Sequence, residues 1–257
     1  MKIVFIGAGN LAVHLSKALQ NAGFDIAQVY SRTTAPAKEL AMRLHVPYTT
    51  EISCIDPTAS LYFISVKDDA IESVIEKFPS TAGLVVHTAG SIPLNIFADR
   101  FSNYGVLYPL QTFSKFREVD FSEIPLFLEA NTSDNLQILY KVSEAISHRI
   151  YEATSAERKK LHLAAVFGCN FVNHLYHLTA LLAKQAGFDF NVLSPLILET
   201  ANKALFSENP KNVQTGPAFR NDHDVMREHI DLLSSYPEFQ QIYTMMSESI
   251  LKLKHEQ

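Results

Sequence analysis

The sequence opens with a short apolar run that leads directly into a glycine-rich segment. The run covers residues 3–6, and the segment after it has the pattern G-x-G-x-x-A, from Gly7 to Ala12. Apolar residues then recur at helical spacing over residues 11–22, and Gly23 follows them. A buried strand, a glycine turn and an amphipathic helix in this order are typical of a dinucleotide-binding unit. A plain strand-to-helix turn is the disfavoured alternative.

Each position of this segment has a distinct physical role in such a unit. Gly7 permits the tight turn, Gly9 lets the backbone approach a pyrophosphate, and Ala12 lets helix and strand pack closely. The first helical amides, together with the partial positive charge of the helix start, hold the phosphates. The predicted cofactor-binding residues here are Gly7, Ala8, Gly9, Asn10, Leu11 and Ala12.

The end of the second predicted strand indicates which dinucleotide is bound. NAD-binding units carry an acidic residue there, whereas this strand, predicted over residues 26–30, is followed by Ser31, Arg32 and Thr33. Arg32 can pair with a 2′-phosphate, and the two hydroxyls can donate hydrogen bonds to it. We therefore predict NADP as the cofactor, with a solvated loop arginine as the alternative.

Strand and helix signals alternate through the first part of the chain and then stop. Predicted strands lie at 3–6, 26–30, 61–66, 84–87, 106–110, 125–129 and near 149–151, and predicted helices at 11–22, 35–44, 70–78 and 134–147. Beyond residue 153 only helices are predicted, at 156–186, about 191–206, 223–235 and 238–254. The pattern predicts an α/β fold, a doubly wound and mostly parallel sheet, followed by an all-helical domain. We expect an NADP-binding domain over 1–153 and a helical substrate and dimerisation domain over 154–257.

Three strand ends should meet near the nicotinamide, because ligands bind outside the carboxyl ends of parallel strands. Small or polar residues follow these strands, and the predicted cofactor contacts are Ser65, Val66, Thr88, Ala89 and Gly90. The third strand end supplies the predicted substrate residues Pro109, Gln111 and Thr112, although Gln111 and Thr112 could equally hold the loop.

Other polar residues near these strand ends are better explained as helix caps. We expect Asp68 and Asp69 to cap a helix rather than to act in catalysis, and Ser91 to cap the segment that starts at Pro93.

The long helical stretch after residue 155 is apolar almost all round, which predicts a buried helix. At about 100° per residue, His162, Asn170, Asn173 and His177 fall within one arc of about 80°. His162 is the predicted acid or base, and Asn170 is predicted to hydrogen-bond the substrate or the nicotinamide carboxamide, with paired core or interface groups as the equal alternative. For Asn173 and His177 that alternative is favoured, and a metal site at His174 and His177 is disfavoured.

Further along, Arg220 lies in a Gly-Pro turn before a helix that Asn221 or Asp222 should cap. Arg220 is a candidate anchor for a substrate carboxylate, although a structural role is favoured.

Charge and cysteine usage exclude several classes of protein. The formal net charge of −5 disfavours a general nucleic-acid binder. Cys54 and Cys169 are the two cysteines, and we expect reduced, buried thiols in a cytoplasmic protein. No apolar run approaches the ~20 residues of a membrane span. The expected partner is therefore a small-molecule substrate, with no nucleic acid and no membrane.

The whole chain resembles a bacterial family described as NADP-dependent oxidoreductases, with a Rossmann-like domain and a C-terminal helical domain of unknown function. The resemblance is carried by the glycine segment, Ser31-Arg32, residues 109–113, residues 162–170, and residues 215–217 with Arg220 and Asp222. More distantly, it resembles pyrroline-5-carboxylate and ketopantoate reductases and the 6-phosphogluconate and 3-hydroxyisobutyrate dehydrogenases. It implies a cofactor cleft between the domains and a homodimer formed through the C-terminal helices.

Two positions depart from these relatives. Tyr108 stands where the family loop usually has His, and Val166 stands where the hydroxyacid dehydrogenases have their Lys, one helical turn before Asn170. The hydroxyacid mechanism therefore does not transfer. The favoured function is NADPH-dependent reduction of a small C=O or C=N substrate at the interdomain cleft, with His162 as proton donor. The alternative is a non-catalytic NADP(H)-binding sensor or regulator on a reductase fold.

Overall fold

The computed structural model describes residues 1–115 and 117–255, with the backbone alone for residues 254 and 255. The chain forms two compact units, Met1–Asn170 and Phe171–Gln257. The predicted domain boundary at residue 153 falls at the end of the sheet, whereas the first compact unit continues into the following helix.

The first unit is built on one eight-stranded sheet in the order β3-β2-β1-β4-β5-β6-β7-β8. The strands are β1 Lys2–Ile6, β2 Asp25–Tyr30, β3 Tyr48–Thr49, β4 Leu61–Ile64, β5 Leu84–His87, β6 Tyr104–Pro109, β7 Leu126–Ala130 and β8 Ile150–Glu152. All neighbouring strands run parallel except β6 and β7. The predicted doubly wound, mostly parallel sheet is confirmed.

Helices cover both faces of this sheet. They are α1 Asn10–Asn21, α2 Thr34–Leu44, α3 Ile71–Lys77 and α4 Ser133–Glu144, and a fifth helix, α5 Ser155–Ala165, follows β8. Alternate residues of β1 enter different cores: Ile3 and Phe5 pack with α1, α2 and α4, while Val4 and Ile6 pack with α3. Continuous apolar strands are expected wherever a sheet is buried on both faces.

The switch to an antiparallel pair at β6 and β7 follows from the segment between them. The described residues of this connection contain one short 3-10 helix, Phe121–Glu123, and no α-helix. A parallel return would need a crossover of a dozen or more residues, usually helical. The connection instead reverses the chain, and Leu110 N donates to Pro125 O at 2.9 Å.

The prediction of one long buried helix over residues 156–186 is wrong in two respects. α5 ends at Ala165, a π-helix spans Val166–Phe171, and α6 covers Val172–Gln185. The stretch is also largely exposed in the single chain: Asn170, Asn173, His174 and His177 are all exposed, and Phe167 is 64% exposed.

The second unit is all-helical, as predicted. After α6 come α7 Ser194–Phe206, α8 Pro217–Arg220, α9 His223–Leu232 and α10 Pro237–His255. The turn predicted at residues 215–222 contains the short helix α8. The Asp222 side chain accepts from Val225 N at 3.3 Å, which confirms Asp222 as the cap of α9. Within the described ranges no helix is both long and apolar enough to cross a bilayer.

Both cysteines are free thiols, and the expectation that they are buried is wrong. Cys54 ends an exposed 3-10 helix, Ile52–Cys54, and Cys169 lies in the π-helix. Their apolar character favoured burial, but both segments lie on the surface.

Candidate cofactor and active site

The two glycines of the glycine segment, Gly7 and Gly9, are under different structural constraints. Gly7 has φ +113°, and a Cβ there would lie 2.2 Å from the carbonyl oxygen of Ser65. Gly9 has an ordinary φ of −77°, and a Cβ there would meet nothing within 4 Å. The fold itself therefore requires a glycine at position 7, whereas Gly9 borders open space that a ligand can occupy.

The start of α1 is free to bind an anion. The N-cap residue of α1 is Gly9, so no side chain caps the helix, and the first turn contains no acidic residue. Ala12 is fully buried against the sheet, as its predicted packing role requires. Gly7 N donates to Tyr30 O at 2.7 Å, so the loop is fixed to the end of β2. The uncapped amides and the helix dipole can therefore bind an anion here.

The other residues of the segment are divided between the loop and the core. Ala8 is buried and Leu11 packs against the core around β1. The Asn10 side chain donates to Phe113 O at 2.9 Å, so it holds a neighbouring loop and leaves only its backbone to a cofactor.

The hydroxyl–arginine–hydroxyl sequence lies at the carboxyl end of β2, beside the start of α1. Ser31 N donates to Thr49 O at 3.2 Å, which anchors the turn. Thr33 is the N-cap of α2 but makes no side-chain capping bond. The Arg32 side chain is exposed and has no ion pair or hydrogen bond among the described residues. Arg32 is therefore available to a ligand phosphate.

The ends of β4 and β5 lie side by side, as predicted. Thr88 Oγ1 lies 3.2 Å from Ser65 Oγ, and both residues are buried. Val66 Cγ1 would contact a Cβ at Gly7 at 3.2 Å, which places it beside the glycine segment. Ala89 is buried in the turn after β5.

His162 lies against the loop after β5, which is predicted to contact the nicotinamide, and its hydrogen-bond partner is Tyr108. Tyr108 Oη lies 3.0 Å from His162 Nδ1. A Cβ at Gly90 would lie 2.8 Å from Tyr108 Cζ and 2.9 Å from His162 Nδ1, so only glycine fits there. Burial raises the pKa of the Tyr108 hydroxyl, and the charge of Arg158 opposes this in part. The structure thus joins His162 to Gly90, while Asn170 is exposed in the π-helix and Arg220 is exposed in the second unit.

Sequence reasoning missed a buried ion pair that holds the same loop. Arg158 Nη1 donates to Glu129 Oε2 at 2.5 Å, and the Arg158 side chain is 1% exposed. The guanidinium also donates to Ala89 O at 3.2 Å and to Ile92 O at 2.6 Å. Ser155 connects Glu129 on β7 to the segment after β5. Its N and Oγ donate to Glu129, and its Oγ accepts from Leu94 N at 2.9 Å. The pair therefore fixes the turn after β5.

His87 is fully buried at the end of β5. Burial, and then the nearby Arg158 charge, lower its pKa to about 3, so the ring is neutral. Its Nδ1 accepts from Ala89 N at 3.2 Å, and its Nε2 is buried without a hydrogen-bond partner. The neutral ring thus supports the loop that Arg158 also holds.

The predicted capping roles of Asp68, Asp69 and Ser91 are wrong. The 3-10 helix Asp68–Ala70 has Lys67 as its N-cap, without a side-chain cap. Asp68 instead accepts a hydrogen bond from Ser91 Oγ, which joins the loops after β4 and β5. The prediction considered only local chain order, whereas Ser91, the partner of Asp68, lies in the loop after the adjacent strand.

The loop after β6 is held by its own side chains and by α1. Pro109 is the last residue of β6 and is buried, and Gln111 Oε1 accepts from Thr112 N at 2.8 Å. His14 Nε2 lies 2.8 Å from Ser114 O. These bonds give Gln111 and Thr112 a structural role in the free chain, and a substrate contact remains a prediction. For metals, the described residues contain no group of three or more His, Cys, Asp or Glu that could hold an ion.

Comparison with known proteins places these features in a family. Residues 2–89 match the model described as "NADP oxidoreductase coenzyme F420-dependent", and residues 124–250 match "Domain of unknown function (DUF2520)". No curated protein sequence matches the chain.

Solved structures extend the comparison over the full length. A protein from Bacteroides fragilis, described as a putative NADP oxidoreductase, is 47% identical with a TM-score of 0.91 over 98% of both chains. The 1-pyrroline-5-carboxylate reductase of Streptococcus pyogenes (13% identity, TM-score 0.65, 98% of both chains) shares the fold. So does the NADP-bound pyrroline carboxylate reductase of Plasmodium falciparum (13%, 0.60, 98% of both chains). The chain therefore belongs to the family of the Bacteroides fragilis protein, which joins an NADP oxidoreductase domain to a DUF2520 domain.

Proposed function

We propose that this chain is an NADP(H)-dependent oxidoreductase that reduces a small C=O or C=N compound. The observation that carries the proposal is the exposed, unpaired Arg32 at the end of β2, beside the uncapped start of α1. A pyrophosphate on the α1 amides would have its adenosine ribose near the end of β2. Arg32 would then pair with the 2′-phosphate, with Ser31 and Thr33 as further donors.

The residues present fit such a cofactor. Gly9 borders open space where a side chain would otherwise stand, and no acidic residue in the first turn of α1 repels a phosphate. Bound NADPH would supply a hydride near Ser65, Ala89 and Gly90. His162, which lies against Gly90, would supply the proton that completes the reduction.

Calorimetric titration with NADPH, NADH and coenzyme F420 tests the cofactor. Arg32→Ala should weaken NADPH binding by about tenfold or more, because it removes a charge-assisted contact, and should change NADH binding little. The matched control is Arg43→Ala on α2, the helix that follows Arg32, where Arg43 pairs with Glu39. Equal losses for NADPH and NADH would contradict the 2′-phosphate contact. Preferential binding of F420 would overturn NADP as the cofactor.

Turnover separates an enzyme from a sensor. NADPH consumption is measured with a panel of 2-oxo acids, imines and cyclic imines. We expect turnover of at least one class, which His162→Ala abolishes while NADPH binding persists. NADPH binding without turnover across the panel would favour the non-catalytic sensor.

We also propose that the chain forms a homodimer through its C-terminal helices. Large apolar side chains are exposed on the second unit, including Leu205 at 78%, Phe206 at 88% and Met245 at 62%. Soluble monomers rarely expose extensive apolar patches. Light scattering should give twice the chain mass, and Phe206→Glu with Leu205→Glu should shift the protein towards monomer. A monomer at micromolar concentration would contradict this proposal.

A further inference from the structure

The imidazole of His162 has one closed edge and one open edge. Its Nδ1 lies 3.0 Å from Tyr108 Oη and is packed against the backbone of Gly90. Its Nε2 has no hydrogen bond to any residue that the structure describes, and the side chain is partly exposed. A ligand can therefore reach Nε2 but not Nδ1.

Tyr108 is well placed to hold this orientation. It lies on β6, which is paired on both sides, and only 8% of the residue is exposed. Its ring contacts His162 edge-on at 6.1 Å between centroids and lies 6.5 Å from Phe127. A group carried by a central strand is positioned more rigidly than one on a loop.

The Tyr108 hydroxyl can serve His162 in either protonation state. A phenol can donate to an unprotonated Nδ1 and can accept from a protonated one. Because burial raises its pKa, the hydroxyl keeps its own proton near neutral pH. Tyr108 can therefore stay hydrogen-bonded to Nδ1 of His162 throughout a reaction cycle and keep its own proton.

We propose that Tyr108 is a positioning residue that engages Nδ1 of His162, so that Nε2 is the atom that passes a proton to the substrate. This inference rests on the proposed reductase function. When bound, NADPH would supply a hydride to the substrate carbon, and the electron pair of the C=O or C=N bond would take the Nε2 proton of the protonated ring. His162 is left neutral with its remaining proton on Nδ1, donated to Tyr108 Oη. Water then returns a proton to Nε2 at the open edge.

The first test needs neither substrate nor cofactor. Nitrogen NMR of the folded chain with labelled histidine resolves Nδ1 from Nε2, and His162→Asn identifies the signals of His162. In Tyr108→Phe, which keeps the ring and removes the hydroxyl, the Nδ1 signal should move while Nε2 changes little. An unchanged Nδ1 signal, or a change confined to Nε2, overturns the proposal even if the chain proves to be a reductase.

The second test uses the fastest substrate of the panel. Tyr108→Phe should lower kcat by about tenfold or more with KM for NADPH within about twofold, because cofactor binding is untouched. His162→Asn places its amide near Nδ1 and lacks any atom at Nε2, and His162→Gln places its amide nitrogen near Nε2. Both should lose turnover as fully as His162→Ala, since neither amide transfers a proton.

Two outcomes contradict the assignment: wild-type kcat in Tyr108→Phe, or turnover retained in His162→Asn. Thermal unfolding is measured for every variant. If Tyr108→Phe does not fold, the His162 nitrogen signals of the unsubstituted chain decide: an Nδ1 signal without the shift of a hydrogen-bonded nitrogen overturns the proposal. If no substrate in the panel reacts, the proposed function fails, and the NMR result still decides how Tyr108 and His162 interact.

Discussion

Arg158 donates to Glu129 at 2.5 Å, and its side chain is almost completely withdrawn from solvent. The guanidinium also binds two carbonyl groups in the turn after β5, Ala89 O and Ile92 O. A buried charge of this kind is tolerable only when its partners are in place. The ion pair therefore links α5 and β7 to the loop that is expected to meet the nicotinamide.

The first prediction concerns this pair. Arg158→Met should reduce the free energy of unfolding by about 3 kcal/mol, because it leaves the partly buried Glu129 carboxylate without its ion-pair partner and two loop carbonyls without their donor. Arg149→Met is the matched control, since Arg149 pairs with Glu123 at the surface, where both side chains are more than half exposed. That change should cost less than about 1 kcal/mol. Urea unfolding measures both variants, and similar losses would show that burial adds nothing to the Arg158 pair.

The second prediction separates the roles of Gly7 and Gly9 in the glycine segment. Gly7→Ala should destabilise the fold strongly, because the new Cβ would overlap the Ser65 carbonyl at a positive φ. Gly9→Ala should leave the melting temperature nearly unchanged and weaken NADPH binding by about tenfold or more, since the methyl group enters the space of the pyrophosphate. Thermal unfolding and calorimetry are the measurements. Normal NADPH affinity in Gly9→Ala would mean that the cofactor binds elsewhere.

The third prediction concerns pH and His87. The ring has a pKa of about 3 in the folded chain because of burial and then the Arg158 charge, whereas an unfolded histidine titrates near 6.5. Below about pH 6.5 the unfolded chain binds a proton that the folded chain does not, so stability falls as pH falls towards 3. The slope approaches about 1.4 kcal/mol per pH unit from this residue.

His87→Asn offers an acceptor near the position of Nδ1 and removes the titration, so it should flatten that part of the stability profile. The control is His45→Asn, because His45 is exposed and its φ of +58° suits asparagine. Denaturation at a series of pH values measures all three chains. An unchanged slope in His87→Asn would indicate that His87 is charged in the fold.

The fourth prediction concerns the start of α5. Thr154 forms a capping box with Glu157, in which each side chain binds the backbone of the other residue. Thr154→Ala should cost about 1 kcal/mol of stability. Thr33→Ala at the start of α2 is the comparison, because Thr33 makes no side-chain capping bond. Equal losses in chemical denaturation would contradict the capping role of Thr154.

The fold of the first unit was predictable because its signals are local. The glycine segment, the apolar strands and the helical spacing each report on adjacent residues, and the structure confirms the strands and helices they indicate. A two-residue strand such as β3 is too short to leave a pattern. The antiparallel pairing of β6 and β7 was also hard to predict. Its only signal in the sequence is that the segment between the two strands lacks a helical repeat.

The site was only partly predictable because its key contacts are distant in sequence. Arg158 sits among Glu157, Lys159 and Lys160, which looks like a solvated helix face, and its partner Glu129 is 29 residues away. The contact between Asp68 and Ser91 was missed for the same reason, because the two residues are distant in sequence and follow two adjacent strands. The π-helix escaped detection because the helical repeat was assumed to be uniform.

The difference between the two loop glycines has a consequence for reading related sequences. Position 7 is constrained by the backbone of the protein itself, so a folded relative should keep glycine there whether or not it has a cofactor. Position 9 is constrained only by what approaches from outside. A relative that has glycine at the first position and a bulky residue at the second would therefore keep the fold but no longer bind the nucleotide.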